Sequence, residues 1–140
     1  MIFLDTNILV YAVDGKDPVK QDVARKIVAS ALDSEKFIIS AQVLNEFSNI
    51  ALLKLGMDIG EVRDFISIFR RIRTVPLEPE WTDRALSIKD AYRIQFFDSL
   101  LLAAAEANGC DEIWTEDLND GQYYCGIKAA NPLTKPQPTP

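Results

Sequence analysis

The chain has 140 residues, with 15 lysines and arginines against 21 aspartates and glutamates, a net charge of −6 and no histidine. One domain is expected at this length, and 48% apolar residues suffice for one core. Without histidine a Ser-His-Asp triad, a Cys-His pair and imidazole metal ligands are excluded. The two cysteines, Cys110 and Cys125, cannot supply a four-thiolate zinc site or a disulfide scaffold, which points to a reducing, cytoplasmic setting.

The elements are predicted in chain order as follows. Met1 to Asp5 carries no basic segment and meets a carboxylate at once, unlike a signal peptide. Ile2-Phe3-Leu4 predicts a short strand, Asp5-Thr6-Asn7 a polar turn, and Ile8-Leu9-Val10-Tyr11 a short helix. Val19, Val23, Ile27, Val28, Ala31 and Leu32 have helical spacing across 19–33. Phe37-Ile38-Ile39 reads as a buried strand. Ser40 then caps a helix running through Leu55, with Gly56 beyond its end. Asp58 and Glu61 have capping-box spacing for a third helix through Ile72.

Val75-Pro76-Leu77 predicts a brief edge strand, and Pro79 opens a fourth helix through Ile88. Asp98 opens a fifth over 99–108, stopped by Gly109. Strands are expected at Glu112 to Thr115 and Gly126 to Ala129. The apolar run Leu100 to Ala105, which no other run exceeds, is too short to cross a membrane. Residues 131–140 contain four prolines and predict a mobile tail beyond a domain of 1–130. Short apolar strands alternating with amphipathic helices predict a parallel sheet covered on both faces, with ligands bound beyond the carboxyl ends of its strands.

Four acidic positions stand out. Asp5 ends the first strand, where it is either a ligand or a turn residue bonding its own backbone. Glu46 lies on a strongly apolar helix. It is either a buried group needing a partner or one of a solvated stripe with Gln42, Asn45 and Asn49. Asp98 suits a helix N-cap without any chemistry. Glu116, Asp117 and Asp120 crowd the end of a strand, where mutual repulsion raises their pKa values unless a cation intervenes. Oxygen ligands without nitrogen or sulfur suit Mg²⁺ or Mn²⁺. Such an ion would also let an acidic protein accept a phosphodiester.

Together Leu4-Asp5-Thr6-Asn7, Ser40-Ala41-Gln42-Val43-Leu44-Asn45-Glu46-Phe47, Phe97-Asp98-Ser99-Leu100-Leu101-Leu102-Ala103-Ala104 and Thr115-Glu116-Asp117-Leu118 resemble the PIN-domain ribonucleases. Among these they are most similar to the VapC-type toxins of bacterial toxin–antitoxin pairs. The resemblance implies a three-layer α/β/α sandwich with a central parallel sheet and a metal-dependent endoribonuclease using Mg²⁺ or Mn²⁺. It also implies an RNA substrate, a cognate antitoxin partner and a homodimer. Carried over, Asp5, Glu46, Asp98 and Asp117 become the catalytic, metal-holding acids. Thr6, Asn7 and Thr115 become supporting residues. After Asp117 the chain departs from the family, whose members often have Asp-Phe where this chain has Asp120-Gly121. Asp120 is therefore either an extra ligand or a loop residue.

Two other classes compete. Leu4-Asp5-Thr6-Asn7 is also similar to the nucleophile segment of haloacid-dehalogenase-like phosphatases, with Asp5 as nucleophile, although Asn7 stands where that family has a second Asp. A non-catalytic PIN-like binding module is the third reading. Arg63, Arg70 and Arg71, with Arg73, mark either an RNA or partner contact or a solvated helix face. Phe65, Ile66, Phe69, Trp81 and Trp114 are expected to pack.

Overall fold

The computed structural model describes residues 1–134. The chain runs β1 (Ile2–Leu4), α1 (Thr6–Val13), α2 (Pro18–Asp33), β2 (Phe37–Ser40), α3 (Ala41–Leu53), α4 (Ile59–Phe69) and β3 (Arg73–Val75). It continues with α5 (Pro79–Tyr92), α6 (Phe96–Ala107), β4 (Glu112–Trp114), β5 (Tyr123–Tyr124) and β6 (Ile127–Ala130). The strands form one six-stranded sheet in the order β3-β2-β1-β4-β6-β5. Every neighbouring pair is parallel except β5–β6. Helix α1 packs on α2 and α3, α3 on α4, and α5 on α6. The result is the α/β/α sandwich that alternating strands and helices predict.

Strand β1 lies between β2 and β4, with Ile2 opposite both Phe37 and Glu112. From β1 the chain first builds outward through β2 and β3, then returns to the other side at β4. The strand order therefore reverses at β1 and β4, and a crevice opens beyond their carboxyl ends. Asp5 follows β1 there, and Thr115 to Asp117 follow β4.

Several boundaries differ from expectation for local physical reasons. No turn separates β1 from α1, because Asp5 is itself the N-cap and its carboxylate accepts the Thr6 N–H. Ser40 occupies the N-cap position of α3, but its side chain makes no capping bond and is fully buried. The Asp58–Glu61 capping box forms as predicted. Helix α4 stops at Phe69, and a tight turn follows that buries Ile72. Strand β3 lies over 73–75 rather than 75–77, since Pro76 has no N–H for the ladder.

Helix α5 extends to Tyr92, past the expected end at Ile88. Helix α6 starts three residues earlier than expected. Gln95 is its N-cap, and its carbonyl accepts from both the Ser99 N–H and the Ser99 hydroxyl. Asp98 is thus not a cap but sits inside the first turn. Strand β5 was not expected. It is two residues long, and its turn needs left-handed backbone at both Cys125 and Gly126.

The core includes Phe3, Leu4, Ile38, Ile39, Leu101, Leu102 and Ile113, and Phe47 meets Phe69 edge-on at 4.9 Å. Phe65 packs against both. Within 131–134, Leu133 is buried and its N–H is held by the Asn131 side chain. The rest of the predicted tail, 135–140, lies outside the described residues.

Candidate metal centre

Three carboxylates converge at the crevice. Asp5, Asp98 and Asp117 each present an oxygen, and these oxygens lie within 4.8 Å of one another. They arrive on separate elements: the β1–α1 junction, the first turn of α6 and the segment after β4. Asp5 is buried, Asp98 half-buried and Asp117 exposed, so the group runs from the core outward to solvent.

The neighbouring polar residues hold the acids in place. Thr6 and Thr115 both donate to Asp5, Thr6 through its backbone N–H and Thr115 through its hydroxyl at 2.6 Å. The Thr115 hydroxyl also accepts the Asp117 N–H at 3.0 Å, which fixes the chain carrying the third acid. The Asn7 amide donates to Asp117 at 3.1 Å and approaches Asp5 at 3.5 Å. All three residues expected to support the site therefore touch its acids.

Glu46 lies outside the three-acid group but lines the same cavity of about 310 Å³ with Asp5, Asp98 and Asp117. It accepts from the Thr6 hydroxyl at 2.9 Å and from the Gln42 amide at 2.6 Å. The solvated-stripe reading fails for Gln42. This residue is 4% exposed, one turn before Glu46, and also donates to the Phe97 carbonyl in the first turn of α6. An i, i+4 amide–carboxylate pair was the sequence signal for it.

Asp120 does not join the cluster. It accepts the Asn131 N–H at 2.9 Å and anchors the loop to the segment after β6. Glu116 is also engaged elsewhere, by Tyr11 at 2.8 Å and Lys20 at 3.1 Å. Arg63, Arg70 and Arg71 are exposed, and none lines a cavity containing the acids. Arg71 instead lines a cavity with Met1 and Arg73, at the amino ends of the strands. The cations that do line the acidic cavities are Lys16, Lys54 and Arg93.

The convergence is electrostatically costly. Burial, with the Asp117 and Asp98 charges adding, pushes Asp5 up to about 7 against the donors from Thr115 and Thr6. Burial, then Asp117 and Glu46, raises Asp98 to about 6. Partial burial and Glu116 raise Asp117, opposed by the Asn7 amide. Among the described residues no donor reaches the Asp98 carboxylate. An all-oxygen donor set, with one acid lacking any hydrogen bond, fits a hard divalent cation.

Three solved structures share the fold. VapC20 from Mycobacterium tuberculosis, a sarcin-ricin loop cleaving toxin, is 18% identical with a TM-score of 0.66, covering 84% of this chain and 90% of its own. A toxin–antitoxin complex from Klebsiella pneumoniae contains a chain 17% identical with a TM-score of 0.71, covering 94% and 98%. VapBC2 from Rickettsia felis, bound to a DNA fragment from its promoter, matches at 19% identity and a TM-score of 0.68, again covering 94% and 98%. None of the curated proteins matches the sequence. The PIN domain family matches residues 2–120, a span that contains the six helices of the described residues and the acids Asp5, Glu46, Asp98 and Asp117. The chain belongs to the PIN domain family.

Proposed function

We propose that the protein is a divalent-metal-dependent endoribonuclease that hydrolyses RNA phosphodiester bonds, and the toxin of a toxin–antitoxin pair. The observation that carries this reading is the meeting of Asp5, Asp98 and Asp117 where the strand order of a PIN fold reverses. Its structural neighbours agree with it: an RNA-loop-cleaving toxin and two toxin–antitoxin assemblies.

Asp5, Asp98 and Asp117 would hold Mg²⁺ or Mn²⁺. When bound, such an ion offsets the carboxylate charge, polarises the phosphodiester as a Lewis acid and lowers the pKa of water. The protein supplies the rest. Thr115 and the Thr6 N–H orient Asp5, and Asn7 ties Asp117 to it. Glu46, held by Thr6 and Gln42, retains lone pairs on both oxygens and accepts a proton from the attacking water.

The phosphatase alternative fits less well. Asp5 is 3% exposed, and both of its oxygens already accept hydrogen bonds, which leaves little access for covalent capture of phosphate. A cognate antitoxin and a second copy of the chain are the proposed protein partners. Leu53 and Ile59, exposed on either side of the α3–α4 turn, supply apolar surface for one of them. No helix among the described residues is long and apolar enough to cross a membrane, and the proposed setting is the cytoplasm.

The test is incubation of the purified protein with total RNA in Mg²⁺, Mn²⁺ or chelator. Cleavage with either ion, abolished by chelator and by Asp98→Asn, is expected. Cleavage that survives both, or none with either ion, overturns the proposal.

A further inference from the structure

The acid cluster borders two cavities. One, already described, reaches outward to Lys16 and Lys54. The other, about 380 Å³, is lined by Arg93, Ile94, Gln95, Asp98 and Asp117. Asp98 and Asp117 belong to both, so the acids sit between cations on two sides.

Arg93 has an unusual backbone. It ends α5 in the left-handed region, at φ 58° and ψ 36°, where an L side chain is disfavoured and glycine is the default. The turn is fixed around it. The Arg93 N–H donates to the Lys89 carbonyl at 2.8 Å, and the Lys89 ammonium donates to the Ile94 carbonyl at 3.0 Å. Nothing in the packing explains a long cationic side chain here. Arg93 is exposed, and among the described residues its guanidinium has no hydrogen bond or ion pair, although its cavity contains two carboxylates. Lys16 and Lys54 are likewise exposed, with no side-chain partner among the described residues.

Unpaired cations on both flanks of an acid cluster, in a chain of net charge −6, match a polyanion laid across the site. We propose that Arg93 on one side, and Lys16 with Lys54 on the other, hold the phosphates flanking the scissile bond of a single-stranded RNA. Arg93 is then a positioning residue, kept at a strained backbone site for the sake of its charge. This rests on the ribonuclease reading.

The experiment is steady-state cleavage of a short fluorescein-labelled single-stranded oligoribonucleotide of mixed sequence. The full chain is used in Mg²⁺ over a range of KCl concentrations, with kcat and KM separated. Arg93→Gly is expected to raise KM about tenfold and to lower the salt slope of binding by about 0.7, the loss of one phosphate contact on a single strand. Its melting temperature should rise, because glycine relieves the left-handed backbone, so misfolding cannot mimic the effect. Arg93→Lys keeps the salt slope. The Lys16→Ala/Lys54→Ala double variant lowers it.

Arg93→Gly with wild-type KM and slope, while the wild-type protein cleaves normally, overturns this assignment alone. So does an Arg93→Lys variant as impaired as Arg93→Gly. An unchanged lysine double variant overturns the two-sided path. A wild-type protein that cleaves no RNA in Mg²⁺ or Mn²⁺ overturns the ribonuclease reading, and this assignment falls with it.

Discussion

The Thr115 hydroxyl donates to the Asp5 carboxylate at 2.6 Å, joining the ends of two neighbouring strands across 110 positions of sequence. Both partners are buried, at 1% and 3% exposure. The bond holds down the pKa of an acid that burial drives upward. The same hydroxyl accepts the Asp117 N–H, so one side chain positions two of the three converging acids.

Thr115→Val keeps the shape and removes both bonds. Loss of a hydrogen-bonded neighbour of a metal ligand typically costs 10- to 100-fold in metal affinity. A Mn²⁺ titration followed by calorimetry should show a loss of about tenfold or more. Affinity within twofold of wild type would remove Thr115 from the site.

Asp98→Asn should separate stability from activity. Asp98 is raised to about 6 by burial and by two neighbouring carboxylates, so its charge opposes folding at neutral pH when no cation is present. In chelator at pH 7.5 the variant should melt a few degrees above wild type, and it should gain nothing from added Mg²⁺. A variant that melts lower in chelator would contradict the electrostatic account.

The metal-free protein should lose stability as pH rises. The folded pKa of Asp5, about 7, lies above its ordinary value of 3.8, so the folded state binds this proton more tightly than the unfolded state. That contribution is fully present below pH 3.8 and is lost as pH rises through about 7. Asp98 acts in the same direction up to about 6. Thermal melts in chelator should therefore show a falling midpoint between pH 5 and 8. Mg²⁺ should stabilise most at the upper end and least at pH 5, where protons compete for the acids. Asp5→Asn should flatten the chelator profile; an unflattened profile would assign the slope to other groups.

The fold was largely legible because strand and helix periodicities alternate cleanly, and the acids were legible because three of them stand at element boundaries. The roles at those boundaries were harder to read. Asp98 resembles an N-cap by residue type, but the Gln95 carbonyl and the Ser99 side chain set the start of α6 three residues earlier. That shift gives the carboxylate no capping bond and points to the cluster as its role. Gln42 has the polarity of a surface residue, and its burial depends on α6, a non-local neighbour. Arg63, Arg70, Arg71 and Arg73 cluster in sequence, yet only Arg63 lies on α4, and clustering along the chain does not say which end of the sheet a side chain faces. Lys16, Lys54 and Arg93 are isolated in sequence and are brought to the acids only by topology.

Both cysteines should be unreactive in the native state. Burial pushes the Cys110 thiol up to about 11. Burial and the Glu106 charge do the same for Cys125, also to about 11. Thiolate is the reacting form, so iodoacetamide at pH 8 should label both far more slowly than in denaturant. Mass spectrometry of timed samples reads this directly, and labelling at the unfolded rate would show that one of them is open to solvent.

The most direct measurement of the central claim is a crystal structure of the protein grown with Mn²⁺, with data collected at the manganese absorption edge. An anomalous peak ligated by oxygens of Asp5, Asp98 and Asp117 is predicted. A manganese peak bound elsewhere, with these three carboxylates free of metal, would contradict the account.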